Sequence, residues 1–141
     1  MTTPASVIKD LLVTAGVGVF AASTGWGIFL GKAPDTPNTV LVVTDSGGLT
    51  PNPKFLLDFP GVQVLGRGSP GQYQEIYSKM QEVKNALLGL PSQTIGTDRW
   101  TSITMRSDIS SLGYDPKNRL QMSVNFQIIL EPAAGTYRQS L

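Results

Sequence analysis

From Leu120 to Leu130, apolar side chains fall on every second position of the chain. Leu120, Met122, Val124, Phe126, Ile128 and Leu130 share one face of an extended backbone, while Gln121, Ser123, Asn125 and Gln127 share the other. At ~3.3 Å per residue the run reaches about 36 Å, longer than an ordinary strand. A strand this long with one apolar face must join a sheet and be covered on that face. Its amide-bearing side has two readings: the wet face of an antiparallel sheet, or a hydrogen-bonding surface that docks a neighbour or lines a pore without capturing DNA.

The remaining pattern supplies the partners of that strand. Trp26 to Leu30 reads as a first strand, and Thr39 to Thr44 (TVLVVT) as a central one covered on both faces. Gly61 to Arg67 alternates Val62 and Val64 against Gln63, Leu65 and Arg67; Ile103 to Ile109 sets Ile103, Met105 and Ile109 against Thr104, Arg106 and Asp108. The segment Ser46 to Pro53, with Gly47 and Gly48, has the composition of a mobile loop. A turn-rich stretch from Ser110 to Asn118 returns the chain to the long strand.

Two helices are expected. Thr3 can cap the first, with Pro4 at its first position, Ile8, Leu11, Leu12 and Ala15 on one face, and Gly16 and Gly18 at its end. Ser69, Pro70 and Gln72 read as a capping box opening a second, longer helix over 70–89. Tyr73, Ile76, Tyr77, Met80, Val83, Leu87 and Leu88 repeat at helical spacing, and Gly89 and Pro91 stop it. The expected fold is therefore α/β (α+β): one domain over 1–141, with a mixed, mostly antiparallel sheet flanked by one long and one short helix. The N-terminal helix falls within 1–18, the sheet and long helix within 25–132, and 133–141 form a tail. A chain of 141 residues holds one core of this kind.

Composition removes most chemistry. The chain has no Cys and no His, so thiolate metal sites, cysteine nucleophiles and the usual general base are excluded. Its acidic residues are scattered without metal-ligand spacing, and no cofactor is expected. A net charge of +1 gives no field to hold a phosphate backbone, so specific nucleic-acid binding is not expected. Gly66, Gly68 and Gly71 match G-x-G-x-x-G between a strand and a helix. Pro70 removes an N–H where phosphate needs donors, and no acidic residue ends a following strand, so a strand-to-helix turn explains them better. The uncharged stretch from Leu11 to Gly31 is interrupted by glycines and hydroxyl residues, and a membrane span is not expected.

Three stretches carry a resemblance. They are Gly25 to Gly31 followed by Pro34, Pro37, the Val40 to Asp45 strand and Gly47-Gly48; Val62 to Gly68 followed by Tyr73, Tyr77 and Val83 to Leu90; and Leu112 to Asp115 leading into Arg119 to Leu130. In this order they resemble the minor capsid and tail terminator proteins of long-tailed bacteriophages.

The resemblance implies a non-enzymatic virion protein of the tail or neck, assembled in the host cytoplasm as a hexameric ring. It would stop growth of the tail tube and join tail to head, with the tube protein and a head-completion or connector protein as partners and DNA passing through the ring. Ring closure needs two different patches on each subunit. The candidates are the Ser46 to Pro53 loop with Gly47 and Gly48, the Ser110 to Asn118 loop with Tyr114 and Asp115, and outward strand faces bearing Arg67, Arg106, Asp108 and Gln121. On this basis Arg67→Glu or Arg106→Glu is expected to leave the monomer folded and impair joining. The alternatives are another neck or head-completion protein, an exported binding module cleaved near Ser23, and a nucleotide-dependent enzyme resting on Gly66 to Gly71.

Overall fold

Thr3 opens the first helix with its side chain. The computed structural model describes residues 3–132, so the tail expected over 133–141 lies outside the described residues. Helix α1 spans Pro4–Thr14, with Thr3 Oγ1 accepting from the Ser6 N–H at 3.2 Å and Pro4 in the first turn. Asp45 supplies a second acceptor from the sheet, taking the Ala5 N–H at 2.9 Å. Gly16, at φ 78°, turns the chain away. Ala5, Val7, Ile8 and Leu12 form the buried face; Ala15, expected on it, is the C-cap residue and is exposed.

The strands that follow are β1 (Val19–Phe20), β2 (Gly27–Leu30), β3 (Val40–Asp45), β4 (Leu49–Asn52), β5 (Leu57–Phe59) and β6 (Gly61–Arg67). Helix α2 (Tyr73–Leu87) precedes β7 (Gln93–Ile95), β8 (Asp98–Tyr114) and β9 (Leu120–Glu131). They form one sheet in the order β1-β2-β3-β6-β9, with β8 along the far side of β9, β7 hairpinned onto the start of β8, and β5-β4 joined near the end of β9. The β1-β2 and β2-β3 pairs are parallel and the rest antiparallel, the mixed, mostly antiparallel sheet that the sequence implies.

Strand β9 is the axis of the sheet. It pairs with β6 from Gly61↔Gln127 to Arg67↔Gln121 on one side, and with β8 on the other. All six alternating apolar residues of β9 are buried, joined in one core by Ile28, Leu41, Val43, Val62, Val64 and the buried faces of both helices. The helices therefore lie on one side of the sheet. On the opposite side Val40 and Val42 are also buried, which accounts for the unbroken apolar run of β3. Ile8 and Leu12 are part of the core, so cleavage near Ser23 would strip covering side chains from the sheet.

Several expectations change. Helix α2 begins at Tyr73, because Gly71 takes φ 76°; its N-cap is Gln72, which makes no side-chain cap bond, so the Ser69 capping box does not form. Gly66 and Gly68 serve packing instead. A Cβ on Gly66 would lie 2.6 Å from Met80 Sδ and 2.8 Å from Ile76 Cδ1, and one on Gly68 would lie 3.1 Å from Ile76 Cβ. The G-x-G-x-x-G pattern is thus what lets α2 close onto β6. Strand β8 runs on through Tyr114, which reduces the Ser110 to Asn118 loop to a turn over 115–118. Its pairing with β9 shifts register between Trp100/Ser102, Met105/Ser107, Ser107/Ser110 and Ser111/Gly113, and these bulges break the period of two. Finally, the Ser46 to Pro53 loop holds β4, paired with β5, and β1 lies unannounced in the glycine-rich stretch before Trp26.

Candidate functional site

The densest polar cluster sits where β6 ends and β9 begins. The Pro34 to Asn38 loop folds over this end of the sheet, and Pro34 and Pro37 leave it short of its own N–H donors. Two arginines satisfy its carbonyls. Arg67 Nε donates to Asn38 O at 3.2 Å, and Nη2 to the carbonyls of Pro34 at 2.7 Å, Pro37 at 2.8 Å and Asp35 at 3.3 Å. Arg119 Nη1 donates to Asp35 O at 2.6 Å and Asn38 Oδ1 at 3.3 Å, Nη2 to Asp35 Oδ1 at 3.3 Å, and Nε to Asp115 Oδ2 at 2.7 Å. Arg67 is only 6% exposed and Arg119 5%.

This overturns the expectation that Arg67 lies on an outward strand face. The alternation along β6 holds, and the Pro34 to Asn38 loop roofs the face on which it places Arg67. Asp115 is likewise drawn inward, accepting from the Arg119 N–H at 2.9 Å and the Lys117 N–H at 3.0 Å as well as from the Arg119 guanidinium. Arg119, at a strand end where an arginine is ordinarily solvated, is buried here with Asp35 and Asn38 as its partners, and no spacing in the sequence marks the three as a group.

The charges of the cluster act on one another in both directions. Burial lowers the pKa of Arg67, and the like charge of Arg119 adds to that, against the opposing fields of Asp115 and Asp35. Burial pushes the Asp115 carboxyl up, but the bonds from the Arg119 N–H, the guanidinium and the Lys117 N–H outweigh it and hold it below its ordinary 3.8. Asp35 is lowered chiefly by its hydrogen bond from Lys117, with which it also forms an ion pair. A carboxyl that is more acidic folded than unfolded stabilises the fold fully above its unfolded pKa, and this contribution is lost as pH falls through the folded value. Urea midpoints are therefore expected to be level above about pH 5 and to drop below about pH 4. Asp115→Asn should flatten that drop, and an unchanged acid limb would show that the cluster is not its origin.

Every guanidinium contact of the cluster is to a carbonyl, a side-chain amide or a carboxylate of this chain, so it fixes a loop rather than presenting reactive groups. Among the described residues no three His, Cys, Asp or Glu are grouped as metal ligands, and no helix is long and apolar enough to cross a membrane.

The other residues singled out by sequence fall in three places. Gly47 and Gly48, at φ 85° and 79°, lie at the opposite end of the sheet, where a Cβ on Gly48 would stand 2.1 Å from Phe59 O; they are needed for the chain to enter the β4-β5 hairpin. Arg106, Asp108 and Tyr114 lie exposed on β8, where Asp108 pairs with Lys84 of α2 at 3.1 Å. The Ile109 N–H first, and then Lys84, hold the Asp108 carboxyl below its usual value. Gln121 is half-buried opposite Arg67.

The amide face of β9 is mostly spent internally. Gln127 Nε2 donates to the carbonyls of Phe59 at 2.7 Å and Pro60 at 3.1 Å, Asn125 Nδ2 to Ser107 Oγ at 3.3 Å, and Ser123 is buried. Little of it is left as the open hydrogen-bonding surface that its composition allows. Large apolar side chains stay uncovered in three places. Val13, Val19 and Phe20 are exposed at the β1 edge, Tyr73, Tyr77, Leu112 and Tyr114 at the β8 edge, and Leu49 and Phe55 on the β4-β5 hairpin.

Residues 11–132 match the family model described as bacteriophage tail terminator protein. No curated protein matches the chain. Among solved structures, a chain of the virion of native gene transfer agent (GTA) particle is similar in fold. The TM-score is 0.57 at 12% identity, over 90% of this chain and 86% of that one.

Proposed function

Because this chain belongs to the bacteriophage tail terminator family, we propose that it closes the growing end of a phage tail tube as a ring and presents the surface on which the head is joined. The ring is homo-oligomeric and, in this reading, hexameric. Its partners are the tube protein on one face and a head-completion or connector protein on the other, and DNA passes through without specific recognition. The work is done by contacts, with no bond made or broken and no cofactor. The protein acts in the virion, at the tail or neck, after assembly in the host cytoplasm.

The family match over 11–132 carries this reading, and the surface supports it. A cap that meets its own copies and two other proteins needs uncovered apolar surface in several directions, and this protomer exposes it at both lateral edges of the sheet and on a hairpin at one end. Of the residues first assigned to contacts, Arg106, Asp108 and Tyr114 stand on exposed surface, Gln121 is half-buried, and Arg67 and Asp115 act by holding the loops beside it in shape.

The test is a tube-growth assay. Added to polymerising tube protein, the chain should arrest elongation and appear as a terminal ring in electron micrographs. Arg106→Glu should weaken the arrest while leaving the circular dichroism spectrum unchanged. Tubes that grow to the same lengths with and without the protein would overturn the reading.

A further inference from the structure

On the assumption that the protein works as a ring, we infer which surfaces meet: the β1 edge of one protomer packs against the β8 edge and adjoining flank of α2 in the next. The partner is a second copy of this chain.

The two flanks of α2 are identified by their contacts. Ile76, Met80, Val83 and Leu87 form its buried face. At ~100° per residue, Lys79 falls to one side of that face, and Tyr73, Tyr77 and Lys84 to the other. Lys79 Nζ donates to Val17 O at 3.0 Å and stands 5.4 Å from the Trp26 ring centroid, so its flank looks toward β1. Lys84 reaches Asp108 on β8. The tyrosine flank therefore looks toward β8, where Tyr114, paired with the core residue Leu120, lies on the helix side of the sheet and Leu112 sits in a bulge. Tyr73, Tyr77, Leu112 and Tyr114 are 51%, 39%, 51% and 63% exposed. Tyrosines exposed in this way on a rigid scaffold are typical anchors of protein interfaces.

The other edge offers the counterpart. Phe20, paired with the core residue Ile28, is also on the helix side, with Lys9 Nζ 4.5 Å from its ring centroid. Phe20 is 49% exposed, Val19 63% and Val13 38%. Phe20 and Tyr114 thus stand at opposite edges of one sheet and on the same face of it, while Val19, paired with Gly27, extends the first patch around the edge. The two patches also differ in composition, as a head-to-tail contact that closes into a ring requires.

Backbone polarity agrees. β1 runs parallel to β3, β3 is antiparallel to β6, β6 to β9 and β9 to β8. β8 therefore runs opposite to β1, and a neighbouring copy in the same orientation brings the two edges together antiparallel. The stretch Ile109 to Tyr114 carries none of the charges or prolines with which exposed edges are usually protected.

The chain has no cysteine, so introduced thiols report contacts without background. The Phe20→Cys/Tyr114→Cys double variant, treated as the native-mass oligomer with a short bismaleimide, should give a ladder of covalent species ending at the ring size. Each single-cysteine variant should stay monomeric on the same denaturing gel. Dimers from either single variant would mean a twofold contact and overturn the inference. So would an intact oligomer whose double variant does not cross-link, with the ring itself still standing. A protein that forms no oligomer, alone or on tubes, would remove both. As a second measurement, Val19→Lys and Leu112→Glu should each weaken assembly roughly tenfold or more with circular dichroism unchanged, and the two together should restore it. Failure of the pair to restore assembly would count against direct apposition.

Discussion

Arg67→Glu is expected to lower the melting midpoint by roughly 10–20 °C rather than yield a protomer of wild-type stability with a damaged surface. The guanidinium of Arg67 meets four carbonyls of the Pro34 to Asn38 loop and is almost wholly buried. A carboxylate there faces acceptors with no donor of its own, and strands those carbonyls as well. Removing one partner from a buried charged network costs about 3–5 kcal/mol. Ordinary domains have a total stability of only about 5–15 kcal/mol. Arg67→Lys keeps the charge and a donor but loses the planar fork that reaches several acceptors, so it should fall between the wild type and Arg67→Glu. Thermal melts followed by circular dichroism decide the matter. An Arg67→Glu midpoint within a few degrees of wild type would show that the loop does not depend on this residue.

The contrast with Arg106 shows where sequence reasoning stops. Both arginines alternate with apolar residues on a strand, and sequence parity treats them alike. Parity states which side of the sheet a residue takes, and says nothing of what lies over that side. Arg67 is covered because a proline-bearing loop without enough donors folds across the end of β6, while Arg106 on the outer strand is exposed. The core was legible for a related reason. Six alternating residues of β9 and four residues at helical spacing in α2 can be buried in only one way. The run of β8 was not legible, since bulges at several points take successive residues out of alternation, and Ser110 and Ser111 read as a turn although they pair with Ser123 and Met122.

The same distinction separates the polar loops and amides, which sequence offers as contact surface, from the apolar side chains that stay uncovered. Gln127 and Asn125 are polar in sequence but find partners within the chain, on Phe59, Pro60 and Ser107. Tyr73 and Tyr77 read as part of the core stripe of α2, yet lie off its buried face and remain open. A stripe wider than the sheet can cover was the available signal. Its excess is on the side facing β8, where the described residues add no further layer.

Phe126→Ala separates protomer stability from assembly. Phe126 is the largest fully buried side chain, at the centre of β9, opposite Val62 on β6 and Met105 on β8. Truncation there removes apolar contact and leaves a cavity that neighbours on two paired strands cannot easily close. The expected cost is about 3–5 kcal/mol, a fall of roughly 10–20 °C in the melting midpoint for a domain of this size. The lost contact lies at the middle of β8 and β9, away from Phe20, Leu112 and Tyr114, so the folded fraction should keep its capacity to form rings. Ring formation binds only the folded protomer and draws the unfolding equilibrium back by mass action. The midpoint of Phe126→Ala should therefore rise with protein concentration, whereas a double variant also carrying Val19→Lys should lose that dependence. A midpoint independent of concentration in the single variant would mean that assembly and folding are not linked through the surfaces inferred above.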